Sequence, residues 1–260
     1  ADFLRQLRRC PCLSGRAEWL PAVDGARMVL DEVPASIVTA EGVADARFPR
    51  DKVLGYVLTR GAIGLACSLH EALRRIAQDT DEQHVYLLCE DDATFAPDFS
   101  AAFSALLAAT EAHDPHWEVL HVGYDPRCTE VGPCGRAECA AAGTGGLCCG
   151  LGVPGVLFGM YGLALPPRGA RALLARLFPV GLQVDTELSR AYRHLARAQG
   201  DTCARASSAQ MAQGPRLRAF APRCAPRGGR AWPAWTGPLV VAPASRADCT
   251  DIQVLSRENQ

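Results

Sequence analysis

The sequence predicts one α/β domain in which helices flank a mostly parallel sheet, with an irregular tail from about residue 200 to 260. Three observations predict it. Val85-Tyr86-Leu87-Leu88-Cys89 is a short unbroken apolar run, the pattern of a strand buried on both faces. Helical apolar spacing precedes it over residues 59–78 and follows it from residue 99. Residues 117–123, Trp-Glu-Val-Leu-His-Val-Gly, read as the next strand. Strand, helix and strand at this spacing imply a parallel pair joined by a right-handed crossover.

The elements are justified in order. Residues 1–9 carry Phe3, Leu4 and Leu7 as a helical stripe beside Arg5, Arg8 and Arg9. Trp19-Leu20-Pro21-Ala22-Val23 reads as a short strand closed by the Asp24-Gly25 turn. Loops and short helices fill residues 26–56, where Pro34 and Pro49 break longer elements. Thr59 is an N-cap, and Ile63, Ala66, Cys67, Leu73, Ile76 and Ala77 form the inner stripe of its helix. Asp98 caps a helix whose buried side is Phe99, Phe103, Leu106 and Leu107. Residues 125–152 break the pattern with five cysteines and many Gly and Ala. Their spacing matches no paired zinc motif, so a surface loop is expected. Strand character resumes at 156–158 and 161–165, and Pro166-Pro167 opens a helix with Ala170, Leu173, Leu174 and Leu177 inside.

Composition narrows the function classes. The 260 residues are 48% apolar and 21% charged, with net charge −1, so no global basic field points to nucleic acid. No apolar run reaches the roughly 18–20 residues of a membrane span. Lys52 is the only lysine and Asn259 the only asparagine, so no N-glycosylation sequon exists. The chain shows no targeting signal: the lumen of the secretory pathway is expected in a eukaryote, the cytoplasm in a bacterium. Twelve cysteines fit either secretory disulfides or scattered core thiols.

Chemistry concentrates in the acids. Glu90-Asp91-Asp92 follows the central apolar run directly. Three carboxylates are too costly to bury unpaired, so they belong at the strand's carboxyl edge, where open α/β sheets bind ligands. They form either a solvated turn or a seat for a hard divalent cation carrying phosphate. Val184-Asp185-Thr186-Glu187-Leu188 places two more acids in apolar context. On an extended segment both would point one way, whereas in a helix Asp185 would cap and Glu187 would sit in the first turn. Trp232 and Trp235 either stack on a sugar or pack the tail on the domain.

Several motifs, in this order, resemble glycosyltransferase family 25, which includes bacterial lipooligosaccharide galactosyltransferases and animal collagen galactosyltransferases. They are Pro21-Ala22-Val23-Asp24-Gly25, Arg60-Gly61-Ala62-Ile63-Gly64 with Ser68, Leu88-Cys89-Glu90-Asp91-Asp92, Trp117-Glu118-Val119-Leu120, and Tyr161-Gly162-Leu163-Ala164. Gly169-Ala170-Arg171-Ala172-Leu173-Leu174, Val184-Asp185 and Thr250-Asp251-Ile252 complete the series. The resemblance implies a GT-A-type, Rossmann-like domain spanning residues 1–260. It implies metal-dependent, inverting transfer of a sugar, galactose first, from a UDP-sugar to a hydroxyl on a glycan or protein. It assigns metal and diphosphate to Asp92 and Asp91 with Glu90, and the metal would be Mn²⁺ or Mg²⁺. Asp24, Gly25 and Gly61 would lie near the nucleotide, and Ser68 either bonds the nucleotide or bonds back to its own helix. Inversion needs a base, for which Asp185 is the first candidate and Glu187 the second.

The chain departs from the family at Leu65 and Leu69, where members carry Cys and His; His70 stands one residue later, about 100° around a helix. The family's first apolar strand would precede Ala1. Two other readings follow: a non-catalytic secretory-pathway module that kept the fold, and a carboxylate-based phosphohydrolase.

Overall fold

The computed structural model describes residues 10, 13, 16–48, 57–91, 93–124, 130–133, 151–156, 159–197, 217–222 and 239–241. Its helices are α1 (Ala40–Arg47), α2 (Arg60–Ala77), α3 (Phe99–His113), α4 (Pro167–Leu177) and α5 (Val184–Arg197). Its strands are β1 (Tyr86–Cys89), β2 (Thr94–Phe95), β3 (Val119–Gly123), β4 (Glu130–Pro133), β5 (Leu151–Val156), β6 (Gly162–Leu165), β7 (Ala219–Pro222) and β8 (Val240–Val241). The architecture is mixed α/β.

The sheet order is β1-β6-β3-β7-β5-β4, with β8 joining β3 and β2. The expected mostly parallel sheet is corrected here. Among the described strands only β3 with β7 and β3 with β8 run parallel, and the other pairs are antiparallel. β1 and β3 do run in the same direction, but β6 lies between them, antiparallel to both. The local pattern of strand, helix and strand contained nothing about this later strand, which takes the inner position.

Side chains alternate between two cores, as a pleated sheet requires. Tyr86 and Leu88 of β1, Val119 of β3, Leu163 and Leu165 of β6, and Ala219 and Ala221 of β7 face one core. It is built with Ile63, Ala66, Leu69, Leu73 and Ile76 of α2, Leu173 and Leu177 of α4, and Leu188 and Tyr192 of α5. Leu87 and Cys89, Leu120 and Val122, Ala164 and Phe220 face the other core, which α3 covers with Phe99, Phe103 and Leu106. β1 is half-buried along its length, not sealed on both faces, because β6 is its one neighbour among the described residues.

Local expectations hold at several ends. The Thr59 hydroxyl caps α2 by accepting the Ala62 N–H at 3.1 Å, and Pro167 opens α4. Asp98 stands at the N-cap of α3 but makes no side-chain capping bond. Residues 19–23 form no strand; they lie along α2. The tail is not wholly irregular, because β7 is an interior strand and β8 pairs with β2 and β3. The expected helix at residues 1–9 and the cysteine-rich stretch at 134–150 lie outside the described residues.

Candidate functional site

Two motifs 35 residues apart meet at the start of α2. Gly25 and Gly64 allow the contact: a Cβ on Gly25 would sit 2.1 Å from the Arg60 carbonyl oxygen, and one on Gly64 would sit 2.5 Å from that of Val23. Both obstacles are backbone, so only glycine lets turn and helix approach this closely. The Arg60 guanidinium spans the junction, donating to the Gly25 carbonyl at 3.1 Å and to those of Ala26 and Met28. Ser68 ties the turn from below: its hydroxyl donates to the Gly64 carbonyl and accepts the Val23 N–H, both at 2.8 Å. Asp24 closes the turn by accepting the Ala26 N–H at 2.9 Å and pairs with exposed Arg27 at 3.4 Å. A Cβ on Gly61, in the first turn of α2, would meet nothing closer than the Thr59 hydroxyl at 3.8 Å.

The chain directions bring this turn to the end of the sheet where β1 and β3 finish. Arg171 of α4 donates to the Ala77 carbonyl at the end of α2, while Phe178, just past α4, meets His70 edge-on with ring centroids 4.9 Å apart. The two helices are therefore antiparallel. β6 runs against β1, with Leu165 opposite Tyr86 and Gly162 opposite Cys89. α4 then returns toward the Cys89 end, carrying the α2 N-terminus with it. Glu90 and Asp91 follow Cys89 at this end, as expected of a carboxyl edge. Glu90 is half-buried and Asp91 exposed. Asp92, the first expected metal ligand, lies outside the described residues.

The same end receives Asp185. Gly159, in a left-handed turn (φ 74°), lies three residues before β6 and directs its N–H to the Asp185 carboxylate at 3.5 Å. Asp185 is 6% exposed; burial pushes its carboxyl up, against the N–H donors of Thr186 and Gly159 that favour the charged form. Asp185 and Glu187 lie in the first turn of α5, so they do not point one way. Two helical residues are about 200° apart. Glu187 is spent on structure: it accepts the N–H groups of Gly181 and Leu182 at 3.1 and 3.0 Å, with Arg190 at 3.7 Å. It thereby closes the loop entering the helix, and Asp185 is left as the acid facing the sheet end. Gln183 is buried beside it in sequence, and its side-chain oxygen has no hydrogen-bond partner among the described residues.

Sequence reasoning missed His121 and Tyr192. His121 Nε2 and the Tyr192 hydroxyl are 2.6 Å apart in the core, joining β3 to α5. Tyr192 lies two helical turns from Asp185, on the same side of α5. A histidine inside the apolar run of β3 was the available signal. His70 is half-buried on α2 and packs edge-on against Phe178. Trp232 and Trp235 lie outside the described residues. A cavity of about 330 Å³ between residues 30–38 and α1 holds none of the candidate residues.

Among the described residues no group of three His, Cys, Asp or Glu side chains is arranged to hold a metal ion. A metal seat beside exposed Asp91 would draw on ligands outside the described residues, Asp92 among the candidates. No helix among the described residues is long and apolar enough to cross a membrane. Comparisons with family models, with curated proteins and with solved structures each return no match.

Proposed function

We propose that the chain is a GT-A-type glycosyltransferase that moves a sugar, galactose first, from a UDP-sugar to a hydroxyl of a glycan or protein. One observation carries the reading: the Asp24-Gly25 turn on the α2 N-terminus, the acids after β1, and buried Asp185 gather at one end of the sheet. A helix N-terminus favours a diphosphate through its free N–H groups and dipole. Gly61 keeps the backbone there open to a nucleotide, while Gly25 lets the turn dock on the helix start. Mn²⁺ or Mg²⁺, held by Asp91 and Asp92 with Glu90 beside them, would stabilise negative charge on the leaving diphosphate.

Asp185 is the base of this reading. The acceptor oxygen attacks the anomeric carbon as the bond to UDP breaks; the hydroxyl proton passes to the Asp185 carboxylate, and UDP leaves. A buried carboxyl with a raised pKa holds that proton better than an exposed one. Glu187 is withdrawn as second base because its carboxylate holds the loop.

A donor screen with Mn²⁺, run on the wild type and on Asp185→Asn, tests the reading. Asp185→Asn keeps the shape and is expected to lower turnover by about 10²–10⁴-fold, the usual scale for a general base, with little change in UDP binding. UDP with Mn²⁺ is expected to raise thermal stability. If neither UDP nor metal does so, the reading falls. The packing of His70 on Phe178, with buried Leu69 at the family's histidine position, favours a second reading. In it the chain is a non-catalytic relative, which predicts UDP binding without turnover.

A further inference from the structure

Gln183 stands at the entrance of α5 with its amide unused. It is 4% exposed, and its side-chain oxygen has no hydrogen-bond partner among the described residues. Its backbone carbonyl accepts the Glu187 N–H at 3.0 Å, the first bond of the helix, so Gln183 holds the N-cap position. An N-cap residue lies outside the helical turns, and its side chain sits at the helix end, beside the first-turn N–H groups. Gln183 does not use that place for capping. Asp185 accepts the Thr186 N–H at 2.7 Å instead, and Glu187 takes those of Gly181 and Leu182 in the entering loop. Two carboxylates therefore serve the N–H groups around the helix start. The amide is left over at the end that carries Asp185.

A buried amide oxygen without a partner is costly to the free chain, and an apolar side chain would fill the same space without that cost. The missing partner is a donor from outside the chain. We propose that Gln183 is a specificity-determining residue that binds a second hydroxyl of the acceptor, beside the hydroxyl whose proton Asp185 takes. The inference rests on the transferase reading above.

The spacing favours a sugar as the acceptor. Two residues at one helix end have Cα atoms roughly 5–6 Å apart, so Gln183 and Asp185 can share one small molecule. A ligand that satisfies both offers two hydroxyls on neighbouring carbons, which is the chemistry of a sugar ring. A lone hydroxyl on a protein side chain leaves Gln183 unpaired. Because a hydroxyl both donates and accepts, it suits the amide in either orientation.

The test uses the full chain with Mn²⁺ and the donor found active in the screen. Methyl β-galactoside, methyl β-glucoside and methyl α-mannoside serve as acceptors, each beside its monodeoxy analogues. On the wild type, removing one hydroxyl next to the attacked one is expected to lower kcat/KM about 10–100-fold. Gln183→Met, similar in length and without the amide, should lose the same factor with the parent acceptor. It should lose nothing further with that deoxy analogue, and its UDP binding should be unchanged. Without ligand, Gln183→Met should melt at the wild-type temperature or above it, since no partner is stranded. A lower Tm would show that the amide is bonded within the chain, and overturns the assignment. Deoxy analogues used as well as their parents, or transfer to peptide hydroxyls alone, overturn it on the wild type, whatever the variant does. If Asp185→Asn abolishes transfer while deoxy analogues and Gln183→Met behave like their parents, this inference fails and the transferase reading stands. If no donor is turned over, both fall.

Discussion

At the scale of single residues, the His121–Tyr192 pair has the clearest consequences. Tyr192→Phe removes the one hydrogen-bond partner, among the described residues, of a histidine that is 1% exposed. Leaving such a group unsatisfied costs about 1–3 kcal/mol. Replacing both groups, His121→Leu with Tyr192→Phe, should restore much of that loss, because no polar atom is then stranded. Urea unfolding of the three variants checks this; a double variant no better than the single one would show that the polar pair itself holds α5 to β3. Burial also pushes the imidazole down to about 3. The unfolded chain, with an ordinary histidine, then binds the extra proton first as pH falls. Stability is full above about pH 6.5 and drains as pH falls toward 3. At pH 5 the loss relative to pH 7 is about 2 kcal/mol, at 1.36 kcal/mol per unit. His84 acts in the opposite sense, because Asp79 raises its pKa and its benefit fades as pH rises. That pair is exposed and screened, whereas buried Asp185, whose raised carboxyl loses stability as pH rises, also opposes His121. The double variant should remove the share of the fall from pH 7 to 5 that His121 supplies.

At the scale of elements, α2 and its docked turn act as one unit, and two glycines separate structure from ligand contact. Gly64→Ala forces a Cβ to within 2.5 Å of the Val23 oxygen and 2.9 Å of the Gly25 nitrogen. Backbone cannot swing aside as a flexible side chain can, so the turn must lift, at a cost of about 1–3 kcal/mol. Gly61→Ala meets nothing closer than the Thr59 hydroxyl at 3.8 Å. Inside a helix that exchange should stabilise the free chain by about 0.4–1 kcal/mol. If the Gly61 backbone approaches a nucleotide, the same methyl weakens UDP binding while Tm rises. A calorimetric titration of Gly61→Ala showing unchanged UDP affinity would remove Gly61 from the site. The start of this unit was legible because its signals are local: Thr59 before an apolar stripe, and Asp24-Gly25 as a turn. The Arg60 bonds to three carbonyls were not legible, since only the docked turn creates them.

At the scale of the whole molecule, what was hidden is long-range pairing. Residues 219–222, Ala-Phe-Ala-Pro, are too short and too weakly patterned to read as a strand amid a Pro- and Arg-rich stretch. They become β7 because β3 and β5 each offer it an edge, and Ala219, Phe220 and Ala221 alternate between the two cores. The helix that holds Asp185 was likewise ambiguous, since Val-Asp-Thr-Glu-Leu suits an extended segment as well as a first turn. Glu187 decides it by closing the preceding loop. The tail is therefore part of the fold, and Phe220 tests that. Its ring is 7% exposed and meets His113 edge-on with centroids 5.3 Å apart. Phe220→Ala should cost about 3–5 kcal/mol, the scale of a buried aromatic deletion. A tail merely laid over a finished domain would lose little, and its melting would not shift the main transition. One cooperative unfolding transition moved to lower denaturant, with α2 and α5 lost together, is the expected result, because β7 joins β3, at the middle of the sheet, to β5.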